Sequence, residues 1–161
     1  MEPRKAGNVM LKIPSKVSVM ISIVLSVLFF IILVAGAVIM PWLADVLVDM
    51  SPRDVSAGGR TLVLTFAYAA LFFMAAADTM LFGLLLRVKA GQVFTMKSVA
   101  LIRGISWCAM LLCIVFGLLG IYFQLALFVA FACLFLGICL RVVKNVIEQA
   151  TEIKAENDFT I

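Results

Sequence analysis

The stretch VSVMISIVLSVLFFIILVAGAVIM, residues 17–40, decides the fold because it contains no charged side chain. At about 1.5 Å per residue, a helix of this length crosses the ~30 Å hydrocarbon core of a bilayer. The apolar core of a signal peptide is shorter, roughly 7–15 residues. We therefore interpret residues 17–40 as a first transmembrane helix, preceded by a basic tail at residues 1–16.

The composition of the whole chain supports this interpretation. Of its 161 residues, 65% are hydrophobic and 14% are charged, and the mean hydropathy is +1.22. Soluble domains are only about 45–50% apolar, so we expect the lipid bilayer to be the main partner of this surface. There is no histidine, and the four cysteines lie in apolar sequence without CxxC spacing. We therefore predict no metal, no cofactor and no enzymatic activity.

Three further spans follow from the pattern of charges. Residues 61–86 contain only one, Asp78, and the stretch 105–140 contains none. Because that stretch is too long for one span, we predict a short outer turn near Gly120, with helices at 96–119 and 122–140 on either side. The predicted fold is all-α: a polytopic membrane protein with four transmembrane helices in an antiparallel bundle.

The connecting segments have distinct characters. Residues 41–60 are rich in proline, glycine and aspartate, so we predict an extracytoplasmic loop, with a short surface helix possible at 43–50. In the turn at 87–95, Gly91 is suited to stop one helix and Thr95 to cap the next. Residues 141–156 contain no glycine or proline, so we predict that the fourth helix extends beyond the membrane before a tail at 157–161.

Lysine and arginine predict the orientation of the helices. The proposed inner segments contain Arg4, Lys5, Lys12, Lys16, Arg87, Lys89, Lys97, Arg103, Arg141, Lys144 and Lys154, whereas the outer loop contains Arg53 and Arg60. Positive residues stay preferentially in the cytosol. We therefore place both termini there, in a multi-pass membrane protein.

Asp78 is the sharpest candidate for function. A carboxylate at the centre of a spanning helix costs roughly 2.5–3.5 kcal/mol, so such residues are functional candidates by default. We consider Arg103 and Ser106 as its partners. The alternatives are a structural hydrogen bond between helices, ion or proton coupling, and ligand binding. On the first helix, Ser18, Ser22 and Ser26 share one face, where serines usually allow close approach and bonding across helices.

A stripe of small residues on the second helix raises the question of oligomerisation. Ala69, Ala76 and Gly83 recur every seven positions, and Asp78 points roughly 160–200° away from them at 100° per residue. Either this helix is central in the bundle or one of its faces meets another chain. We offer a homo-oligomer as the hypothesis that follows from the second alternative.

Two segments, RVKAGQVFT at 87–95 and IKAENDFTI at 153–161, resemble motifs of the bacterial membrane-protein family called domain of unknown function 2975. Members show a basic helix end, a Gly-Glu-x-Phe-Thr turn and an ending such as Glu-Asn-Asp-Leu-Thr-Ile. Here Gln92 replaces the usual Glu and Ser98 the usual Asn. The resemblance extends over nearly the whole chain. It implies four spans and, because such genes often lie beside one for a small helix-turn-helix regulator, a soluble regulator as a partner.

These motifs predict a docking surface on the cytosolic face. The candidate residues are Gly91, Phe94, Thr95, Glu156, Asn157, Asp158, Phe159 and Ile161. The alternative is that they pack on one another and close the inner face of the bundle. Our first hypothesis is a non-enzymatic, regulatory membrane protein that acts through protein partners and does not itself bind nucleic acid. The others are an oligomeric channel, carrier or small-molecule binder that uses Asp78, and an accessory subunit of a larger complex.

Overall fold

The computed structural model describes residues 15–49 and 57–158, and almost all of them are helical. The elements are α1 (Ser15–Asp49), α2 (Ala57–Lys89), α3 (Met96–Leu119) and α4 (Gln124–Asp158). Each of these helices is long and apolar enough to cross a membrane. The prediction of an all-α protein with four candidate membrane spans is therefore confirmed. Most of the basic tail, and the end of the chain from Phe159, lie outside the described residues.

The first helix is longer than the sequence predicted. The predicted loop begins at residue 41, but α1 continues through Pro41 to Asp49, and α2 begins at Ala57. Proline lacks an N–H, so the carbonyl of Ala37, four residues earlier, loses its usual helical donor. The hydroxyl of Tyr68 on α2 donates to that carbonyl at 3.2 Å. A neighbouring helix thus supplies the missing bond. Residues 43–49 of the segment predicted as a separate surface helix are the end of α1, and residue 50 lies outside the described residues.

An ion pair joins the end of α1 to the start of α2. The Arg60 guanidinium donates through Nη2 to Asp45 Oδ2 at 3.0 Å and through Nε to Asp45 Oδ1. Both side chains are about half exposed, so the pair contributes little to stability. Its two parallel bonds nevertheless define the register of the two helices where the chain leaves α1 and enters α2.

The connection between α2 and α3 is a tightly bonded turn. Gly91 has a φ of +73°, a conformation that glycine adopts without steric cost. The Gln92 N–H donates to Arg87 O at 2.9 Å and the Gly91 N–H to Val88 O at 3.1 Å, which is the Schellman pattern. Thr95 then caps α3, because its hydroxyl accepts from the Ser98 N–H at 3.3 Å. The roles predicted for Gly91 and Thr95 are confirmed.

The second half of the chain follows the predicted boundaries closely. Helix α3 ends at Leu119 as predicted, and α4 begins at Gln124 rather than at residue 122. Backbone bonds from Tyr122 and Phe123 to Leu119 O, at 3.0 and 2.9 Å, keep the turn compact. From Gln124, α4 runs without interruption to Asp158. The predicted helical extension at 141–156 is therefore present as part of α4.

The helices form an open row. Each helix packs against its neighbour in sequence, and among the described residues α1 and α4 do not pack against each other. The short connections explain this order. On α1 and α2, Ser26 contacts Asp78 whereas Asp45 contacts Arg60, so these two helices run antiparallel. On α3 and α4, Arg103 contacts Glu148 whereas Ser106 contacts Gly137, with the same result. The predicted bundle is thus not closed. In lipid the outer helices need no further partner, because hydrocarbon tails accept apolar side chains as readily as another helix does.

A cluster of buried apolar side chains lies between α2 and α3. The buried cluster consists of Val63, Ala70, Leu112, Val115 and Leu119. In contrast, α1 exposes most of its large side chains, such as Val24 at 64% and Val38 at 77%. The row is therefore hydrophobic on its outside, as a protein in lipid is expected to be, and a buried apolar cluster lies at its centre.

The Tyr68–Ala37 bond generates a testable prediction. Replacing Tyr68 by Phe should destabilise the protein by about 1 kcal/mol, because the carbonyl of Ala37 then has no donor in an apolar setting. In a Pro41→Ala background the helix regains its own N–H donor, so the same substitution should cost much less. Reversible unfolding in mixed micelles measures both. Equal costs in the two backgrounds would show that the bond does not compensate for Pro41.

The turn at Gly91 generates a second prediction. Gly91→Ala should lower stability by about 1 kcal/mol, because its positive φ strains any residue with a Cβ. Gly117→Ala is the matched control, since a Cβ at that helical position meets nothing within 4 Å. We expect Gly117→Ala to be neutral or slightly stabilising in thermal unfolding. A Gly91→Ala protein as stable as the control would contradict the structural role of the turn.

Candidate functional site

Asp78 lies within α2 and faces α1. Its Oδ1 accepts a hydrogen bond from Ser26 Oγ at 2.8 Å, and both residues are only 5% exposed. A buried polar pair thus joins α1 and α2, in addition to the Tyr68–Ala37 and Arg60–Asp45 contacts. Because this directional hydrogen bond joins one residue of α1 to one residue of α2, it fixes the position of one helix along the other.

The partners proposed for Asp78 from the sequence are wrong. Arg103 Nη2 donates instead to Glu148 Oε1 on α4 at 3.1 Å, and Ser106 Oγ donates to the carbonyl of Gly137 at 2.9 Å. Both residues face α4, whereas Asp78 faces α1. In the sequence, Ser26 is marked only by the spacing of the serines on one face of the first helix. That spacing does not indicate which of the other helices this face contacts.

A groove runs beside the Ser26–Asp78 pair. It has a volume of about 630 Å³ and lies among α1, α2 and two side chains of α3. The lining residues are Ser22, Leu25, Ser26, Leu28, Phe29, Ile32, Met74, Ala77, Asp78, Leu81, Leu85, Ile105 and Leu112. A second groove of about 280 Å³ is also lined by Ser26 and Asp78. Among the described residues that line either groove, Asp78 is the only ionisable one.

Two opposite faces of α2 contact two different helices of the same chain. Asp78 faces α1, while Gly83 approaches α3, so that a Cβ there would lie 3.7 Å from Leu101 Cδ1. Ala69 packs against the buried cluster between α2 and α3. The first of our two alternatives, a central α2, therefore accounts for the stripe of small residues. The homo-oligomer stays a prediction that this stripe no longer supports.

A cluster of charges holds α3 to α4 at one end of the row. Glu148 accepts from Arg103 at 3.1 Å and from Lys144 Nζ at 2.6 Å through its two oxygens. Nearby, the Arg141 guanidinium lies 5.1 Å from the centre of the Trp107 ring, within the range of a cation–π contact. We call this end, formed by the end of α2, the start of α3 and the end of α4, the basic end.

The docking residues predicted from the sequence lie at the basic end where the structure describes them. Gly91, Phe94 and Thr95 form the turn, and Glu156 is near the end of α4. Thr95 is eight residues before Arg103, and Glu156 is eight residues after Glu148. Because Arg103 and Glu148 pair across antiparallel helices, both motifs extend about 12 Å beyond that ion pair. Asn157 and Asp158 continue α4, and Phe159 and Ile161 lie outside the described residues.

The chemistry available to these residues is binding chemistry. Asp78 can accept hydrogen bonds or hold a positive charge, and the basic end presents cations and exposed apolar side chains. Within residues 15–49 and 57–158, no three histidine, cysteine, aspartate or glutamate residues come together in a way that could hold a metal ion. The four cysteines in that part of the chain are free.

The Ser26–Asp78 bond generates a third prediction. Ser26→Ala should destabilise the protein by roughly 0.6–1.7 kcal/mol, the range of hydrogen bonds between membrane helices. The matched control is Ser22→Ala, since the Ser22 hydroxyl donates to Ser18 O within its own helix at 3.1 Å. Unfolding in mixed micelles compares the two variants. If both lose the same stability, the bond between the helices contributes nothing of its own.

A family model described as "Protein of unknown function (DUF2975)" matches residues 42–161. The match contains Asp78, the turn at 87–95 and the whole of α4, but not Ser26, so it is narrower than the resemblance expected from the sequence. No curated protein and no solved structure matches the chain. Because the model covers well over half of the residues, this chain belongs to the DUF2975 family of proteins of unknown function.

Proposed function

We propose that this protein is a non-enzymatic, multi-pass protein of the bacterial inner membrane that acts by binding protein partners at its cytosolic face. We assign the basic end to that face, with both termini on the same side. The observation that carries the proposal is the continuation of α4 to Asp158 as one helix, with apolar side chains exposed along its final turns.

The positions of the charges support this orientation. Arg87 and Lys89 close α2, Lys97 begins α3, and Arg141 and Lys144 lie in α4, so cations cluster at the basic end. At the opposite end the described residues contain Arg60, which is paired with Asp45. The positive-inside rule therefore favours a cytosolic location for the basic end.

The length of α4 supports a surface outside the bilayer. Its 35 residues span about 52 Å, and a tilt of 40°, the upper end of the usual range, still leaves about 40 Å along the membrane normal. The hydrocarbon core is only ~30 Å thick. The last part of α4 therefore extends into water, where the ion pair between Arg103 and Glu148 holds its base against α3.

The exposed side chains on this extension have the character of a binding surface. Val142, Val146 and Ile153 share one face of α4 and are 58%, 60% and 59% exposed, and Phe94 in the turn is 47% exposed. Burying apolar surface gains roughly 25 cal/mol per Å². A soluble partner with a complementary apolar groove would gain this energy, and the family resemblance suggests a small helix-turn-helix regulator.

A substitution on this face tests the proposal. Val146→Glu should weaken binding of a purified small helix-turn-helix regulator at least tenfold, because it removes an apolar contact and puts a charge in its place. Gln149→Glu is the matched control for charge alone: it adds the same charge on the same face without removing an apolar side chain, so it should weaken binding less. Binding to protein in lipid nanodiscs, measured by surface interferometry, gives both affinities. A regulator that binds Val146→Glu as tightly as wild type would exclude this surface.

Deleting residues 156–161 separates docking from the alternative that the basic end closes on itself. A docking segment can be removed without loss of thermal stability, but the partner then binds more weakly. If the truncated protein unfolds or aggregates, the segment is structural. In that case the proposal depends on the result with Val146 alone.

The groove at Asp78 favours a second candidate function, the binding of a small molecule within the membrane. Ligand sites are concave, mostly apolar and about 300–1,000 Å³ in volume, with few polar groups. The larger groove, at about 630 Å³ with one carboxylate, has these properties. Asp78→Asn distinguishes the two functions, because a docking protein should retain its partner after this change whereas a binder that uses the carboxylate should lose its ligand.

A further inference from the structure

Among the described residues, Asp78 has a neutral partner and no cationic one. Ser26 donates one hydrogen bond to Oδ1, Arg103 pairs with Glu148, and Arg87 lies nine positions further along α2, about 13 Å away along the axis. A hydroxyl satisfies one acceptor site of a carboxylate, which offers about four. A positive charge placed beside Oδ2 would offset the cost of the buried carboxylate far better than the hydroxyl does.

The larger groove gives such a charge a route to Asp78. Its edge is formed by side chains that are substantially exposed, including Leu25 at 56%, Leu28 at 52% and Leu81 at 40%. On α1 the lining extends from Ser22 to Ile32, about 15 Å of helix. The groove therefore opens sideways between the helices, towards the hydrocarbon, and can accommodate an extended apolar chain.

We infer that this groove binds an amphiphile with one ammonium group, whose apolar chain lies along α1 and α2 while the ammonium contacts the Asp78 carboxylate beside Ser26. The inference rests on the second proposed function, the binding of a small molecule within the membrane, and names the chemical class of that ligand. Charge-assisted hydrogen bonds of this kind have N–O distances of about 2.7–2.9 Å. Ser26 keeps its bond to Oδ1, so the ammonium takes Oδ2.

The chemistry of the lining excludes other classes of ligand. A carboxylate or phosphate headgroup would meet the charge of Asp78 without any compensating cation, because the described residues that line the groove include no lysine or arginine. A divalent metal ion needs several oxygen ligands, and the single carboxylate of the described lining balances only one of its two charges. A neutral alcohol can hydrogen-bond but does not neutralise the carboxylate.

The test compares two probes that share a chain and differ in charge. Radiolabelled dodecylamine and dodecanol are titrated against the full-length protein in zwitterionic lipid nanodiscs, and binding to empty nanodiscs is subtracted. We expect saturable binding of dodecylamine and at least tenfold weaker binding of dodecanol. Asp78→Asn, which preserves an acceptor for Ser26, should weaken dodecylamine binding at least tenfold. Asp49→Asn removes a carboxylate outside the groove and should leave binding unchanged.

A groove-filling variant keeps the test decisive if Asp78→Asn misfolds. Ala77→Leu adds bulk beside Asp78 but keeps the carboxylate, and it should also weaken dodecylamine binding at least tenfold. Equal binding of both probes, unaffected by Asp78→Asn, would overturn the ammonium class while leaving small-molecule binding in place. No saturable binding of either probe to a folded wild-type protein would overturn both.

Discussion

The constraint on which the rest of this structure depends is that lipid offers no hydrogen bonds to a peptide backbone. Every N–H and C=O within the hydrocarbon must find a partner in the chain itself. Four long helices meet most of this demand. The structure becomes specific where a helix cannot meet the demand alone: Tyr68 donates to the carbonyl that Pro41 leaves without a donor.

Polar contacts hold α1 against α2. Along their length, α1 and α2 are joined by three polar contacts: Ser26–Asp78, Ala37–Tyr68 and Asp45–Arg60. Each of these contacts has a direction and fixes the register of the two helices. Grooves lie beside the Ser26–Asp78 contact. The open row itself follows from the short connections, which place each helix beside its neighbour in sequence.

The two candidate sites differ in solvent and in mechanism. In the proposed orientation the basic end meets water, so its exposed valines and isoleucine would gain free energy if a partner covered them. The groove meets hydrocarbon, where an apolar ligand gains little from burial alone, and recognition must depend on the charge at Asp78. Both sites share α2, which contains Asp78 and ends in the turn at Gly91. The family match covers this helix and α4 but not Ser26, so the part of α1 that pairs with Asp78 lies outside the shared region.

The sequence by itself determined the four candidate spans, the bounds of α3, the stop at Gly91, the cap at Thr95 and the family, because each depends on hydropathy or bonding within a few residues. It also identified Asp78, since one carboxylate in an apolar run is visible without a structure. Only the tertiary structure decided that Asp78 bonds to Ser26 rather than to Arg103 or Ser106, that α1 continues through Pro41, and that the helices form an open row. Those outcomes depend on which faces of the helices contact each other. These contacts are determined jointly by residues that lie far apart in the sequence.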